Sequence, residues 1–190
     1  VSGQAAVRPA ETLLVRPLPM WKRAIDIVGA SVGLILSAPI LLGAMALIKL
    51  VSPGPAVFRQ SRTGLGGARF TMYKLRTMAL DAEARQADLL PKSEVDGPAF
   101  KLADGPRVIP FGRFRRTSSV DELPQFWNVL KGDMSLVGPR PLPCNESDAC
   151  LPWQRARLDV TPGITGIWQV SGRSQVPFAP WIRMDLEYAR

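Results

Sequence analysis

The sequence predicts an α+β, membrane-associated fold: a broken N-terminal hydrophobic helix, then a mainly helical domain carrying a small β-hairpin. Three observations lead there. From Ile27 to Ile48 there are 22 consecutive residues without a charge. Two runs of strand-like alternation, Val57–Arg62 and Arg69–Thr77, flank the glycine-rich loop 63–67. Gly and Pro number 16 and 18, too many for a plain helical bundle, while 46% hydrophobic residues argue against general disorder. At 190 residues the chain suffices for one compact domain but not for two large ones.

Charge and composition narrow the chemistry. Lys and Arg number 24 against 16 Asp and Glu, a formal charge of +8, with a pI near 10.2. There is no histidine, which removes the usual general base, the usual zinc ligand and every Ser-His or Cys-His arrangement. Cys144 and Cys150 lie in a polar stretch and read as two free thiols in a reduced compartment. The chain begins at Val1, not Met, so a longer precursor or a trimmed chain is expected. The apolar run lies too far in, with no small-residue cleavage site after it, for a secretory signal.

Residues 1–20 are aperiodic and read as a linker or tail. Residues 21–52 form the membrane helix and 53–190 the following domain. A 22-residue run spans about 33 Å as a straight helix, enough to cross a bilayer core. Pro39 sits near its middle and bends or breaks it, and Ser37 can re-satisfy a freed carbonyl. Lys22 and Arg23 precede the run. Lys49, Arg59, Arg62, Arg69, Lys74 and Arg76 follow it, with no acid between Leu50 and Leu80. Basic flanks at both ends suit a helix that enters, turns at Pro39 and returns to the cytoplasmic face. A kinked spanning helix satisfies the same residues nearly as well. Trp21 reads as an interface anchor.

Beyond the run, Ser52–Pro55 is a hinge and the hairpin follows. Leu80–Leu90 and Val108–Arg116 are short helix candidates. Gln125–Lys131 is a helix stopped by Gly132. Turns punctuate the rest: GPRP at 138–141, PGITG at 162–166 and SGRS at 171–174. Trp168 and Val170 fit a short strand, and Trp181–Arg190 a last helix.

The chemistry concentrates in Arg115–Pro141, RRTSSVDELPQFWNVLKGDMSLVGPRP. Adjacent Asp121 and Glu122 open a helix. Ser119 and Glu122 have capping-box spacing, and Asp121 can cap instead; either role would be structural. Pro124 opposes the first, since it is comfortable only if the helix starts near Asp121. Arg116 precedes the pair, Arg140 stands in a rigid Gly-Pro-Arg-Pro turn, and Arg173 lies in a glycine turn. Carboxylates with several arginines suit a diphosphate held through a divalent cation. A solvated basic face, or one docked on anionic lipid, uses the same arginines. Gly64, Gly66 and Gly67 lack the strand–glycine–helix order of a nucleotide loop. The five tryptophans are scattered, and nothing marks nucleic-acid recognition.

The succession KRxxDI, the apolar run, PGPxxFRQxRxG, FxMYKLRTM, GRFxRRTS, DELPQFWNVLKGDMSLVGPRP and PGITGIWQVSGRS resembles the bacterial polyprenyl-phosphate sugar phosphotransferases, the monotopic phosphoglycosyl transferases. The match runs from about Lys22 to the C-terminus. The resemblance implies a re-entrant helix broken at a Ser-Pro pair, here Ser37 and Pro39 around Ala38, with the catalytic domain on the cytoplasmic face of the bacterial inner membrane. It implies transfer of a sugar 1-phosphate from a UDP-sugar donor to polyprenyl (undecaprenyl) phosphate with Mg²⁺, initiating exopolysaccharide or other glycan assembly. Asp121 would be the nucleophile and metal contact, with Glu122 its partner. Arg116 and Arg140 would bind phosphate, Arg173 would lie near the nucleotide, and Lys74 and Arg76 are further substrate-binding candidates. Gly105 and Thr161 depart from the family pattern, and relatives usually continue past the position of Arg190. A non-catalytic module on anionic lipid, or an inactive homologue acting as scaffold, is the alternative. The lipid bilayer is a partner in both. Monomer and homodimer are both open; nucleic acid is not an expected partner.

Overall fold

In a computed structural model of the chain, residues 15–78, 82, 98, 119–172 and 176–190 are described. Helix α1 spans Met20–Val51, with Pro39 inside it. The expected break at Pro39 is not an interruption of the helix. Ser37 Oγ donates to Leu34 O at 3.4 Å, one carbonyl before that of Ile35, which Pro39 deprives of its donor. One face of α1 turns to the domain: Asp26, Ala30, Ser37 and Ile48 are buried at helical spacing. The other face is apolar and bare, with Ile35 72% and Leu36 71% exposed.

Both ends of α1 are fastened to the domain. Lys22 donates to Ser135 Oγ (2.7 Å) and Val137 O (2.9 Å), and Arg23 to Val129 O and Leu130 O. Asp26 Oδ1 accepts from Ser135 Oγ and from the Leu136 N–H, both at 3.0 Å. Lys22 and Arg23, read from sequence as membrane-flanking charges, are thus spent on main-chain carbonyls. At the far end, Arg76 donates to Ser52 O (2.8 Å) and Pro53 O (2.5 Å).

Strands β1 (Val57–Thr63) and β2 (Arg69–Leu75) form the expected antiparallel hairpin, in register Val57↔Leu75 through Thr63↔Arg69. A 3-10 turn at Leu65–Gly67 closes it, with positive φ at Gly66 and Gly67. Helix α2 (Gln125–Lys131) ends at Gly132, φ 92°, as its glycine predicts. It lies against the hairpin through Asn128, which donates to Thr71 O and accepts from the Tyr73 N–H.

Strands β3 (Ser135–Val137) and β4 (Gly163–Thr165) form a second, parallel pair, where the sequence predicts only a turn at 162–166. Between them lie α3 (Cys144–Asp148) and a 3-10 helix, Pro152–Asp159. The strand expected around Trp168 and Val170 is instead a short helix, α4 (Ile167–Val170). Ile167 O accepts from the Ser171 N–H, and Trp168 stacks on Trp181 with centroids 4.2 Å apart. Packing on an aromatic partner overrides strand propensity here. The last helix, α5, spans Phe178–Ala189, beginning three residues before the expected Trp181.

Three apolar clusters hold these pieces. Leu142, Cys150, Phe178, Trp181 and Ile182 pack beneath α5. Ala30 of α1 joins Met72, Val129 and Met134. Ile48 of α1 joins Ala56 and Leu75, with Val120 packed against them. The helix candidate at 108–116, with Arg116 and Arg173, lies outside the described residues, as does that at 80–90 apart from Ala82.

Candidate functional site

The carboxylate pair is presented by an irregular turn. Ser119 is left-handed (φ 59°, ψ 14°), and the chain then makes one 3-10 turn, Val120–Glu122. Val120 anchors it beside Leu75. Helix α2 starts only after Pro124, which occupies its N-cap position. Neither Ser119 nor Asp121 caps a helix: no side-chain capping bond is made at either start. The capping reading of these acids is therefore wrong, because Pro124 pushes the helix start past both.

The two carboxylates have different surroundings. Glu122 is gripped by Arg140: Nη1 donates to Oε2 at 3.2 Å and Nη2 donates to Oε1. Lys74 Nζ stands 3.7 Å from Oε1. Burial opposes the Glu122 charge, but Arg140 and Lys74 overcome it and hold the carboxyl down at about 2. Asp121 is 7% exposed, and its Oδ1 is buried with no hydrogen-bond partner among the described residues. Burial, and then the neighbouring Glu122, push its pKa up; Lys74 and Arg140 pull the other way. One carboxylate is thus tied up in an ion pair and the other is left with spare acceptor capacity.

Three cations converge here. Arg140 follows β3 in the Gly138–Pro141 turn. That turn is held by bonds from Gly138 N to Thr165 O and from Gly163 N to Pro139 O, both 2.9 Å. Burial works against the Arg140 charge, and Glu122 more than offsets this, so its pKa is raised. Lys74, on β2, is pushed down to about 7 by burial and then by Arg140. Arg62, on β1, donates to Pro141 O (2.9 Å) and Gln60 Oε1 (2.6 Å). It is lowered to about 10, again by burial and then Arg140. Arg140 thus depresses both Lys74 and Arg62, and cations crowded in this way favour an added polyanion.

Of the sequence candidates, Asp121, Glu122, Lys74 and Arg140 come together. Arg76 holds the hinge carbonyls at the end of α1 instead, and Ser37 and Pro39 stay on that helix. Sequence reasoning missed Arg62 as a member. The signal was the hairpin register, which puts Arg62, Gln60 and Lys74 on one face through partners Phe70, Met72 and Phe58. Among the described residues no cluster of three or more acid or cysteine ligands could hold a metal ion. The donor set that exists still fits a hard divalent cation: Mg²⁺ takes one or two carboxylates and fills its shell with water and substrate phosphate. The unpartnered Asp121 oxygen can supply one such ligand.

Fold and site define an α+β domain with a long apolar helix packed along it and a carboxylate pair set among basic side chains. The profile of the family described as bacterial sugar transferase matches residues 18–190, and the chain belongs to that family. It is 45% identical over 168 residues to the galactosyl transferase CpsE of Streptococcus agalactiae, covering 88% of this chain and 37% of that protein. It is 46% identical over 171 residues to the UDP-glucose:undecaprenyl-phosphate glucose-1-phosphate transferase of Caulobacter vibrioides, covering 87% and 59%. It is 36% identical over 188 residues to the undecaprenyl-phosphate galactose phosphotransferase of Salmonella typhimurium, covering 97% and 39%. The chain thus spans between 37% and 59% of the length of these relatives.

Proposed function

We propose that this chain is the catalytic unit of a membrane-bound phosphoglycosyl transferase, moving a sugar 1-phosphate from a UDP-sugar to undecaprenyl phosphate. The observation that carries the reading is the contrast within the dyad: a buried Asp121 with an unpartnered oxygen beside a Glu122 locked by Arg140 and Lys74.

An Asp121 carboxylate oxygen attacks the β-phosphorus of the donor. The new bond joins aspartyl oxygen to phosphorus, and the bond from that phosphorus to the bridging oxygen breaks with its electron pair, releasing UMP. An oxygen of undecaprenyl phosphate then attacks the same phosphorus. The aspartyl–phosphorus bond breaks, and the carboxylate is regenerated with the lipid-linked diphosphate sugar. Arg140, Arg62 and Lys74 neutralise the diphosphate in a largely desolvated setting, where each charge counts for more than in water. Glu122 keeps Arg140 oriented. Mg²⁺, held by Asp121 and substrate phosphate, would screen the charge of donor and leaving group. Arg116 and Arg173 are proposed as further phosphate- and nucleotide-side contacts.

The bare apolar face of α1 supports insertion in a bilayer. Re-entry is supported by the fastening of both ends to one domain. A straight 32-residue helix would be about 48 Å long, whereas a domain of this size has a radius of gyration of roughly 14 Å. The lipid acceptor would then reach Asp121 from the membrane on the cytoplasmic side.

The test uses the full-length protein in nanodiscs with undecaprenyl phosphate, Mg²⁺ and separate UDP-glucose, UDP-galactose and UDP-N-acetylgalactosamine donors. One donor should release UMP and, without acceptor, leave a sugar-phosphate mass on the protein. Asp121→Asn should abolish both. Full activity in that variant sinks the reading. Salt-sensitive liposome binding with no nucleoside monophosphate released from any UDP-, ADP- or GDP-sugar returns the chain to the scaffold alternative.

A further inference from the structure

Helix α2 turns two side-chain amides inward, and they have opposite fates. Asn128 is fully used: it donates to Thr71 O at 2.7 Å and to Asp133 Oδ2 at 3.1 Å, and accepts from the Tyr73 N–H. Gln125, almost one turn earlier, is 1% exposed, and among the described residues neither its Nε2 nor its Oε1 has a hydrogen-bond partner. Burying an amide with both ends unpaired is costly, so this site gains when a hydrogen-bonding partner for the amide arrives.

Its position says which partner. The backbone from Val120 to Gln125 stays right-handed, with Leu123 at φ −53°, ψ −35° and Pro124 at φ −61°, ψ −15°. Gln125 therefore lies about one turn beyond Asp121, whose Oδ1 is the other unpartnered atom of this segment. It also sits between two contacts with β2: Val120, packed near Leu75, and Asn128, bonded to Tyr73. The strand between those contacts carries Lys74, which faces Glu122. The unused amide thus stands about one turn from Asp121, on the segment that packs against the strand carrying Lys74.

We propose that Gln125 is a donor-binding residue, its amide N–H donating to a non-bridging oxygen of the phosphoryl group that Asp121 receives. The proposal rests on the transferase reading and adds a neutral donor to the three cations. A phosphoryl oxygen accepts hydrogen bonds readily, and a neutral amide orients it without adding to the repulsion among Arg62, Lys74 and Arg140.

The test compares wild type with Gln125→Leu and Gln125→Met in nanodiscs. Both variants remove the unpaired amide and keep its volume. The unliganded variants should melt no lower than wild type, while UMP release per KM falls at least tenfold. In an Asp121→Asn background, which prevents turnover, the rise in Tm produced by saturating UDP-sugar should shrink. A lower Tm in both unliganded variants overturns the proposal, because the amide is then structural. So does kcat/KM within twofold of wild type, or an undiminished UDP-sugar shift. If wild type itself releases no UMP and forms no adduct, the transferase reading fails and Gln125 with it. Adduct formation with unchanged Gln125 kinetics removes the Gln125 assignment alone.

Discussion

Arg157 donates from Nη2 to the main-chain carbonyl oxygen of Arg140 at 2.5 Å, so the residue that grips Glu122 is itself held by a second arginine. The same guanidinium gives Asp185 two bonds to Oδ2, 2.9 Å from Nε and 2.6 Å from Nη2. Both side chains are buried, 3% and 1% exposed. Helix α5 thereby reaches the site without touching it. Asp185→Asn leaves a buried guanidinium uncompensated and should cost about 3–5 kcal/mol, read by urea denaturation. Arg157→Lys keeps the charge but cannot make the fork to Asp185 and reach Arg140 as well. It should lower kcat for UMP release more than its stability loss explains under conditions where it stays folded. Wild-type kcat in Arg157→Lys would show that the brace does nothing for Arg140.

Glu122 gives a pH signature. Its carboxyl is held at about 2 against an ordinary 4.5, since Arg140 and Lys74 outweigh the opposing effect of burial. The folded protein binds this proton less readily than the unfolded chain. The stabilisation is present above about 4.5 and is lost as pH falls towards 2. A displacement of this size corresponds to about 3 kcal/mol at most. Glu122→Gln should be less stable than wild type at pH 7, and the gap should close as pH drops through this window. A gap of equal size at pH 7 and pH 3 would refute the ion-pair account.

Gly163 is required by close backbone approach. It pairs with Ser135 across β3–β4, and its N–H bonds Pro139 O. A Cβ there would lie 2.6 Å from the carbonyl carbon of Val137 and nearer still to Gly138 N. Main chain cannot yield as a side-chain tip can. Gly163→Ala should push the strands apart, destabilise the protein by about 2 kcal/mol or more and displace the turn bearing Arg140. Gly43→Ala is the control, because its Cβ meets nothing within 4 Å. A neutral Gly163→Ala in thermal denaturation would contradict this packing.

What the sequence made legible was local. Asp121, Glu122 and Arg140 stand within one motif-rich stretch, α2 carries its own stop at Gly132, and the hairpin carries its own glycine loop. Arg62 was harder, because its membership depends on a register set by Gly66 and Gly67 in their left-handed conformations. Arg157 and Asp185 were invisible for a different reason: 28 residues separate them, and only the packing of α5 brings them together. The parallel β3–β4 pair is non-local in the same way. At Trp168, intrinsic strand preference pointed wrong because a neighbouring tryptophan decided the backbone. Pro39 predicts a bend or a break, and the helix continues through it, because a proline removes one hydrogen bond and the turns either side stay helical.

The topology of α1 gives the last prediction. The Arg16 N–H bonds Asp159 O at 2.7 Å, and its side chain bonds Arg190 O at 2.9 Å, so the segment before α1 docks on the same domain as the segment after it. The far segment is held by Arg76 at Ser52 and Pro53. If these contacts persist in the membrane, both ends must emerge on the side where the domain lies. With Cys144 and Cys150 replaced by Ser, single cysteines at Pro17 and Ser52 should resist a membrane-impermeant maleimide in intact spheroplasts, and both should react after lysis. A spanning helix predicts that one of the two reacts before lysis. Labelling of Pro17→Cys from outside would also require Lys22, Arg23 and Asp26 to release Ser135 and the carbonyls of α2, uncovering three charges at once. That cost is why emergence of both ends on one side is the expected outcome.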